Sequence, residues 1–274
     1  METIGIIGYG SMADMMVQKW LEKRVLDARQ FMIHTRSETE RLHQLKEKHD
    51  DVNICSLDEL SASCDVLFVC VPPLAVLDVL DQLHPAKKAI HIVSVAAAVT
   101  LDKLTQHTNQ PVSRYIPTLT SAVGTGVSLV AHGVTVGDEE KKRLNRLLSA
   151  FSIVREVEED RFDAASNLTS SSPGFIAAIF EEMAKAAVRN SKLSLEEAYE
   201  FLTYALLGTG QVLVEHGLTF AETVNRVATK GGITGEGAAV IQKQAPQMFD
   251  DLFTQTMKKY DQLKSQIDEA NKHH

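Results

Sequence analysis

The sequence of 274 residues is short of cysteine, with 3, and Cys55, Cys64 and Cys70 show no C-x-x-C spacing. Such thiols make neither a disulfide framework nor a redox pair; two of them flank or occupy a predicted strand, and all read as reduced, structural groups. Histidine is present but scattered, without H-x-x-x-H or H-E-x-x-H, so no metal site is expected. Excess positive charge is missing too: the formal net charge is −8, which argues against nucleic acid or an anionic membrane as the main partner. No apolar run approaches the roughly eighteen residues that span a bilayer. No basic region with a cleavable apolar segment precedes the first strand, so a cytoplasmic location is expected. Internal repeats and low-complexity linkers are also missing, and the length suits one large or two ordinary domains.

What is present begins at once. Ile4-Gly5-Ile6-Ile7 runs into Gly8-Tyr9-Gly10-Ser11-Met12-Ala13, a strand, a glycine turn and a helix start. Gly8 permits the turn, Gly10 lets a pyrophosphate approach the backbone, and Ala13 allows close helix-on-strand packing. The first N–H groups of the helix, from Ser11 and Met12, suit a phosphate. Met15, Met16 and Trp20 supply the apolar face of that helix.

A second strand is expected at Phe31 to Thr35. Its tip offers Thr35-Arg36-Ser37 where an NAD site would place Asp or Glu, and Asp27 falls before the strand. Hydroxyl, guanidinium and hydroxyl suit a 2′-phosphate, so NADP (NADPH) is the expected cofactor. Ser37 with Glu40 also has the spacing of a capping box. Ser56 with Glu59 repeats that spacing. Asp65 then opens the run Val66 to Val71, which fits a strand buried on both faces, and Pro72-Pro73 ends it. Ala89 to Val95 reads as the next strand, followed by Ala96-Ala97-Ala98, small enough for a nicotinamide to approach or simply for tight packing. Val112 to Ile116, Val127 to Ala131 and a short run around Val134 to Val136 read as further strands, with Gly124 and Gly126 in a turn. Asp138 is a plausible N-cap for an amphipathic helix over Glu139 to Phe151.

From about Glu158 the signals are helical only. Arg161 to Leu168 reads as a helix broken at Thr169 to Gly174, after which Phe175, Ile179, Met183 and Ala187 recur at helical spacing. Ser194 with Glu197 and Thr219 with Glu222 make two capping boxes, and Gly217 is placed to end the helix between them. The last stretch, Ala245 to Asp268, carries a stripe of Met248, Leu252, Phe253, Met257, Tyr260 and Leu263 that suits core or a subunit interface. The expected architecture is an α/β N-terminal Rossmann domain with a mostly parallel, doubly wound sheet over residues 1–157, followed by an all-α dimerisation and substrate domain over 158–274.

Taken in order, Ile4 to Ala13, Asp65 to Pro73, Ser94 to Ala98, Arg114 to Pro117, Phe162 to Phe175 and Val227 to Gly237 resemble the pyrroline-5-carboxylate reductases, which reduce a cyclic imine to L-proline with NAD(P)H. Lys230 to Gly237 is more specifically similar to the ComER branch, named for a late competence operon. The resemblance implies dimerisation by intertwining C-terminal helices, as a homodimer or higher homo-oligomer, and a cyclic imine or amino-acid-like substrate. It implies pyrophosphate at Gly8, Gly10, Ser11, Met12 and Ala13, the 2′-phosphate at Thr35, Arg36 and Ser37, and the ribose and nicotinamide beside Val71, Pro72 and Ala96. It implies substrate orientation by Ser171, Ser172, Gly232 and Thr234, with donors from the helix start after Thr169 to Ser172 and from the Gly231-Gly232 turn. No side-chain acid is assigned, because an imine is basic enough to arrive protonated.

Several positions depart from the family pattern. Ser-Gly-Ser-Gly-Pro-Ala-Tyr reads Thr169-Ser170-Ser171-Ser172-Pro173-Gly174-Phe175, and Ser-Pro-Gly-Gly-Thr-Thr reads Thr229-Lys230-Gly231-Gly232-Ile233-Thr234. Val-Lys-Pro reads Val71-Pro72-Pro73, and Met-Pro-Asn-Thr-Pro reads Ile116-Pro117-Thr118-Leu119-Thr120. One lost hydrogen bond to a charged group costs about 10- to 150-fold in binding. The sequence therefore leaves a reductase, a slower or altered reductase and an NADP-binding regulatory paralogue open. Lys230 and Glu236 read as site residues or as solvated surface.

Overall fold

A computed structural model of the chain describes residues 2–83, 89–229 and 231–272. The residues divide into two compact units, one comprising the chain up to Ser171 together with the part from Met257 onward, the other Ser172–Thr256.

The first unit is a Rossmann-type α/β sheet. Its strands are β1 (Ile4–Ile7), β2 (Phe31–His34), β3 (Asn53–Ile54), β4 (Val66–Val69), β5 (His91–Ser94), β6 (Val112–Ile116), β7 (Gly126–His132) and β8 (Ser152–Glu156). They stand in the order β3-β2-β1-β4-β5-β6-β7-β8. Every pairing is parallel except that of β6 with β7. The helices between them are α1 (Ser11–Glu22), α2 (Glu40–Lys48), α3 (Leu57–Ser63), α4 (Val76–Asp81), α5 (Leu101–His107), α6 (Asp138–Leu148) and α7 (Glu159–Ser166). Chain order reverses across β1, so the loops after β1 and β4 open a crevice at the carboxyl edge of the sheet.

Both faces of the central strands are buried, which is why β1 and β4 read as unbroken apolar runs, while β5 is equally buried but carries His91 and Ser94 at its ends. On one face Trp20 lies among Phe31, Phe68 and Phe151, at ring-centroid distances of 6.0, 5.3 and 5.9 Å. Its indole N–H donates to the Leu147 carbonyl at 2.8 Å, tying α1 to α6. Arg114, 1% exposed, binds Glu159 and Asp163 at 3.1 Å and stacks on Phe162. Lys264 reaches the other Asp163 oxygen at 2.7 Å. These contacts hold α7 and the end of the last helix on the sheet, where Ile267 is buried and Tyr260 and Leu263 pack beside it.

The second unit contains α8 (Ser172–Asn190), α9 (Leu195–Glu215) and α10 (Phe220–Val227), and most of α11 (Ile233–Asn271), whose residues from Met257 belong to the first unit. The Ser194/Glu197 and Thr219/Glu222 capping boxes form, and Gly217 takes a left-handed φ of +63° after α9. Many large apolar side chains of this unit are exposed in the single chain, Ile179, Met183, Phe201 and Tyr204 among them.

The structure corrects several sequence expectations. Val134 to Val136 is not a strand: Val134 sits in a turn, and the Val136 N–H bonds back to Gly133. β3 and β8 were not expected; both are edge strands, short or charged, and carry little apolar pattern. Ser37 and Glu40 make no capping box, because Thr39 caps α2. Asp138 is the first residue of α6, and Gly137 is its N-cap. The helix is not broken at Thr169: Asn167–Ser171 is a π turn that leads directly into α8. Pro173 stands in the first turn of α8, directly after the π turn, where a proline is tolerated.

Candidate functional site

The carboxyl edge of the first unit holds a cavity of about 650 Å³. Gly8, Gly10, Ser11, Met12, Ala13, Thr35, Arg36, Ser37, Val71, Pro72 and Ala96 all line it. Parallel pairing of β2, β1, β4 and β5 brings these loops together, because each strand ends on the same edge.

Local chemistry explains the shape of the turn. Gly8 has a φ of +86°, a region costly for side chains with a Cβ, and its N–H donates to the His34 carbonyl at 2.8 Å. Gly10 is the N-cap of α1 and offers no side chain to its first N–H groups. A Cβ built on Gly10 would meet no protein atom within 4 Å, so its open side is cavity. The first turn of α1 thus presents backbone donors with no helical partner of their own, a cradle for phosphate.

At the other end, Arg36 is exposed and has no carboxylate partner among the described residues. The Thr35 hydroxyl donates to the Ser37 carbonyl at 3.0 Å, which shapes the loop around Arg36. Asp27 does not reach this tip: its backbone N–H is bound by Gln30 in the turn before β2. A group with pyrophosphate and a third, isolated phosphate fits this donor set, and a 2′-hydroxyl without phosphate would leave Arg36 without a partner.

Other lining residues had no sequence signal. His34, Thr39, Leu57, Val79 and Gln82 enter the cavity wall through the fold. Tyr9 also lines it, yet its ring belongs to the core and its hydroxyl donates to Asp14 at 3.0 Å. Burial, with the Asp14 charge and hydrogen bond, raises its pKa, so Tyr9 stays a neutral donor. Burial pushes the Cys70 thiol up to about 12, so that lining cysteine stays protonated and unreactive. Ala98, just beyond the lining Ala97, has a φ of +65°, a strained conformation for alanine.

The residues expected around the substrate lie apart in the chain. Ser171 closes the π turn in the first unit, while Ser172, Gly232 and Thr234 belong to the second. Because α8 continues from the π turn, Ser171 offers its hydroxyl, and the expected free N–H groups of a helix start are not there. Gly231 has a φ of +71°, and the Gly232 N–H is taken by the Thr229 carbonyl at 2.8 Å. Thr234 lies in the first turn of α11, and Glu236 is exposed nearby. Lys230 lies outside the described residues.

Comparison with known proteins bears on these elements. Residues 3–98 match the family model described as NADP oxidoreductase coenzyme F420-dependent, and residues 159–263 match pyrroline-5-carboxylate reductase dimerisation. Pyrroline-5-carboxylate reductase 3 of Bacillus subtilis is 49% identical over 268 residues, covering 97% of this chain and 98% of that one. ComE operon protein 4 of the same organism is 30% identical over 261 residues, covering 94% and 95%, which bears out the likeness to the competence branch. Among solved structures, a pyrroline carboxylate reductase of Plasmodium falciparum with NADP bound shares the fold at a TM-score of 0.79 and 18% identity, over 98% of each chain. One from Coxiella burnetii does so at 0.82 and 22%, again over 98% of each chain.

Proposed function

The chain belongs to the pyrroline-5-carboxylate reductase family, and from that premise we propose that it reduces a cyclic imine, 1-pyrroline-5-carboxylate, to L-proline with NADPH. The observation that carries this reading is the single cavity that collects the glycine turn, the Thr35 to Ser37 loop, Val71, Pro72 and Ala96.

The first turn of α1 would hold the pyrophosphate, and Arg36 with Thr35 and Ser37 the 2′-phosphate. When bound, the reduced nicotinamide supplies a hydride. Val71, Pro72 and Ala96 would border the ring and keep water from it. The family similarity supports Ser171, Ser172, Gly232 and Thr234 as the groups that orient the carboxylate and the ring of the substrate. Effective transfer requires a reacting distance of about 3 to 3.5 Å, so orientation is the main demand on these residues. The imine nitrogen arrives protonated, so no side-chain acid is required.

The serines at 170 and 172 and the isoleucine at 233 would tune the rate or the choice of imine rather than remove activity. Nearly half-identity to a reductase along almost the whole chain favours this reading over a non-catalytic NADP-binding role. The exposed apolar side chains of α8 and α9 and the matched dimerisation region support assembly as a homodimer through these helices. The test is NADPH oxidation by the purified protein with pyrroline-5-carboxylate beside other cyclic imines. Turnover with the pyrroline carboxylate is expected; tight NADPH binding without turnover of any imine would sink the reading.

A further inference from the structure

The π turn is tied to the sheet by a reciprocal pair of hydrogen bonds. Thr118 donates its hydroxyl to the Thr169 carbonyl at 2.9 Å, and Ser170 donates its hydroxyl to the Pro117 carbonyl at 2.8 Å. Thr118 is 1% exposed, so water does not compete for its bond. The first bond has a chemical reason. In a regular helix the Thr169 carbonyl would accept from the N–H four residues on, but residue 173 is proline and has none. Thr118 supplies the donor that Pro173 cannot.

The anchor is well placed. Residues 117 and 118 follow β6, which runs parallel to β5, so they emerge on the same edge as the Val95 to Ala97 loop that lines the cavity. Residues 169 and 170 lead directly to Ser171 and Ser172. We propose that Thr118 and Ser170 are positioning residues for the substrate: their paired bonds fix the π turn, and with it the Ser171 hydroxyl, relative to the carboxyl edge of the sheet. This role rests on the functional reading above. Neither residue lines the cofactor cavity, so the effect falls on substrate and not on NADPH.

The experiment measures KM for pyrroline-5-carboxylate, NADPH Kd and thermal midpoint in Thr118→Val, Thr118→Ser and Ser170→Ala. Loss of one such bond is expected to raise KM about two- to tenfold in Thr118→Val and Ser170→Ala. NADPH Kd should stay at its wild-type value, and Thr118→Ser should restore KM. An unchanged KM in both variants, or KM and NADPH Kd rising together with a lowered midpoint, would overturn the role. If Thr118→Val does not fold, Ser170→Ala decides alone. A wild-type protein without turnover refutes the functional reading and this role with it, whereas an active wild type with unmoved variants refutes this role only.

Discussion

Thr39 donates its hydroxyl to the Tyr9 carbonyl oxygen at 3.3 Å while accepting the Leu42 N–H, also at 3.3 Å, so one side chain caps α2 and ties it to the glycine turn. The loop that carries Arg36 is thereby fastened to the loop proposed to hold the pyrophosphate. Thr39→Val keeps the shape and loses both bonds. Loss of the cap should cost about 0.5–2 kcal/mol in chemical denaturation. NADPH affinity should fall as well, since the two loops lose their common anchor; an unchanged Kd in a destabilised protein would limit Thr39 to capping.

Arg36 should read the 2′-phosphate. In Arg36→Asp the loss of a charge-assisted contact is expected to weaken NADPH about 10- to 150-fold. NADH should change little, as it has no phosphate there. Fluorescence titration with both cofactors checks this, and equal losses would show that Arg36 does not discriminate.

The two glycines of the turn should fail differently. A Cβ on Gly8 would stand 3.0 Å from Val71 Cγ1 and 3.1 Å from the Cys70 carbonyl oxygen, at a φ of +86°. Gly8→Ala should therefore destabilise the apoprotein, with about 1–2 kcal/mol from the left-handed backbone alone. Gly10→Ala meets no protein atom and should cost at most about 1 kcal/mol as an N-cap change. Its penalty should appear in binding, where overpacking of about 1–3 kcal/mol weakens NADPH about 5- to 150-fold. Thermal midpoints and NADPH Kd for the pair separate the two; unaltered binding in Gly10→Ala would place the phosphates elsewhere.

Acid stability should depend on His91. Its Nε2 is 2.7 Å from the Ser113 hydroxyl, which is 2.7 Å from His132 Nδ1, a chain across β5, β6 and β7. Burial, then the nearby His132 and Arg143, pushes His91 down to about 3. An unfolded histidine titrates near about 6.5, so between these values the unfolded chain binds a proton that the folded one does not. The stability from neutral His91 is full above the unfolded value and is lost as pH falls towards the folded one. Urea midpoints at about pH 7.5 and about pH 5 should fall more for wild type than for His91→Gln. Parallel slopes would assign the acid lability to other groups.

The sequence by itself determined what depends on a residue and its near neighbours. Gly8 and Gly10 are legible because a positive φ and an open Cβ position are properties of the turn. The caps at Ser56, Ser194 and Thr219 are legible because acceptor and donor lie three residues apart. The apolar runs of β1 and β4 announce burial on two faces, and with the glycine turn they fix the Rossmann unit. Tertiary structure decided the rest, where the partner is distant in the chain. Ser37 and Thr39 both suit a cap, and the Tyr9 carbonyl selects Thr39. β8, with Arg155 and Glu156, becomes a strand because β7 offers it an edge. The stretch from Thr169 to Gly174 has the composition of a break, yet Asn167–Ser171 forms a π turn that runs on into α8, held by the Thr118 hydroxyl and the Pro117 carbonyl, which only the folded sheet brings within 3 Å of it.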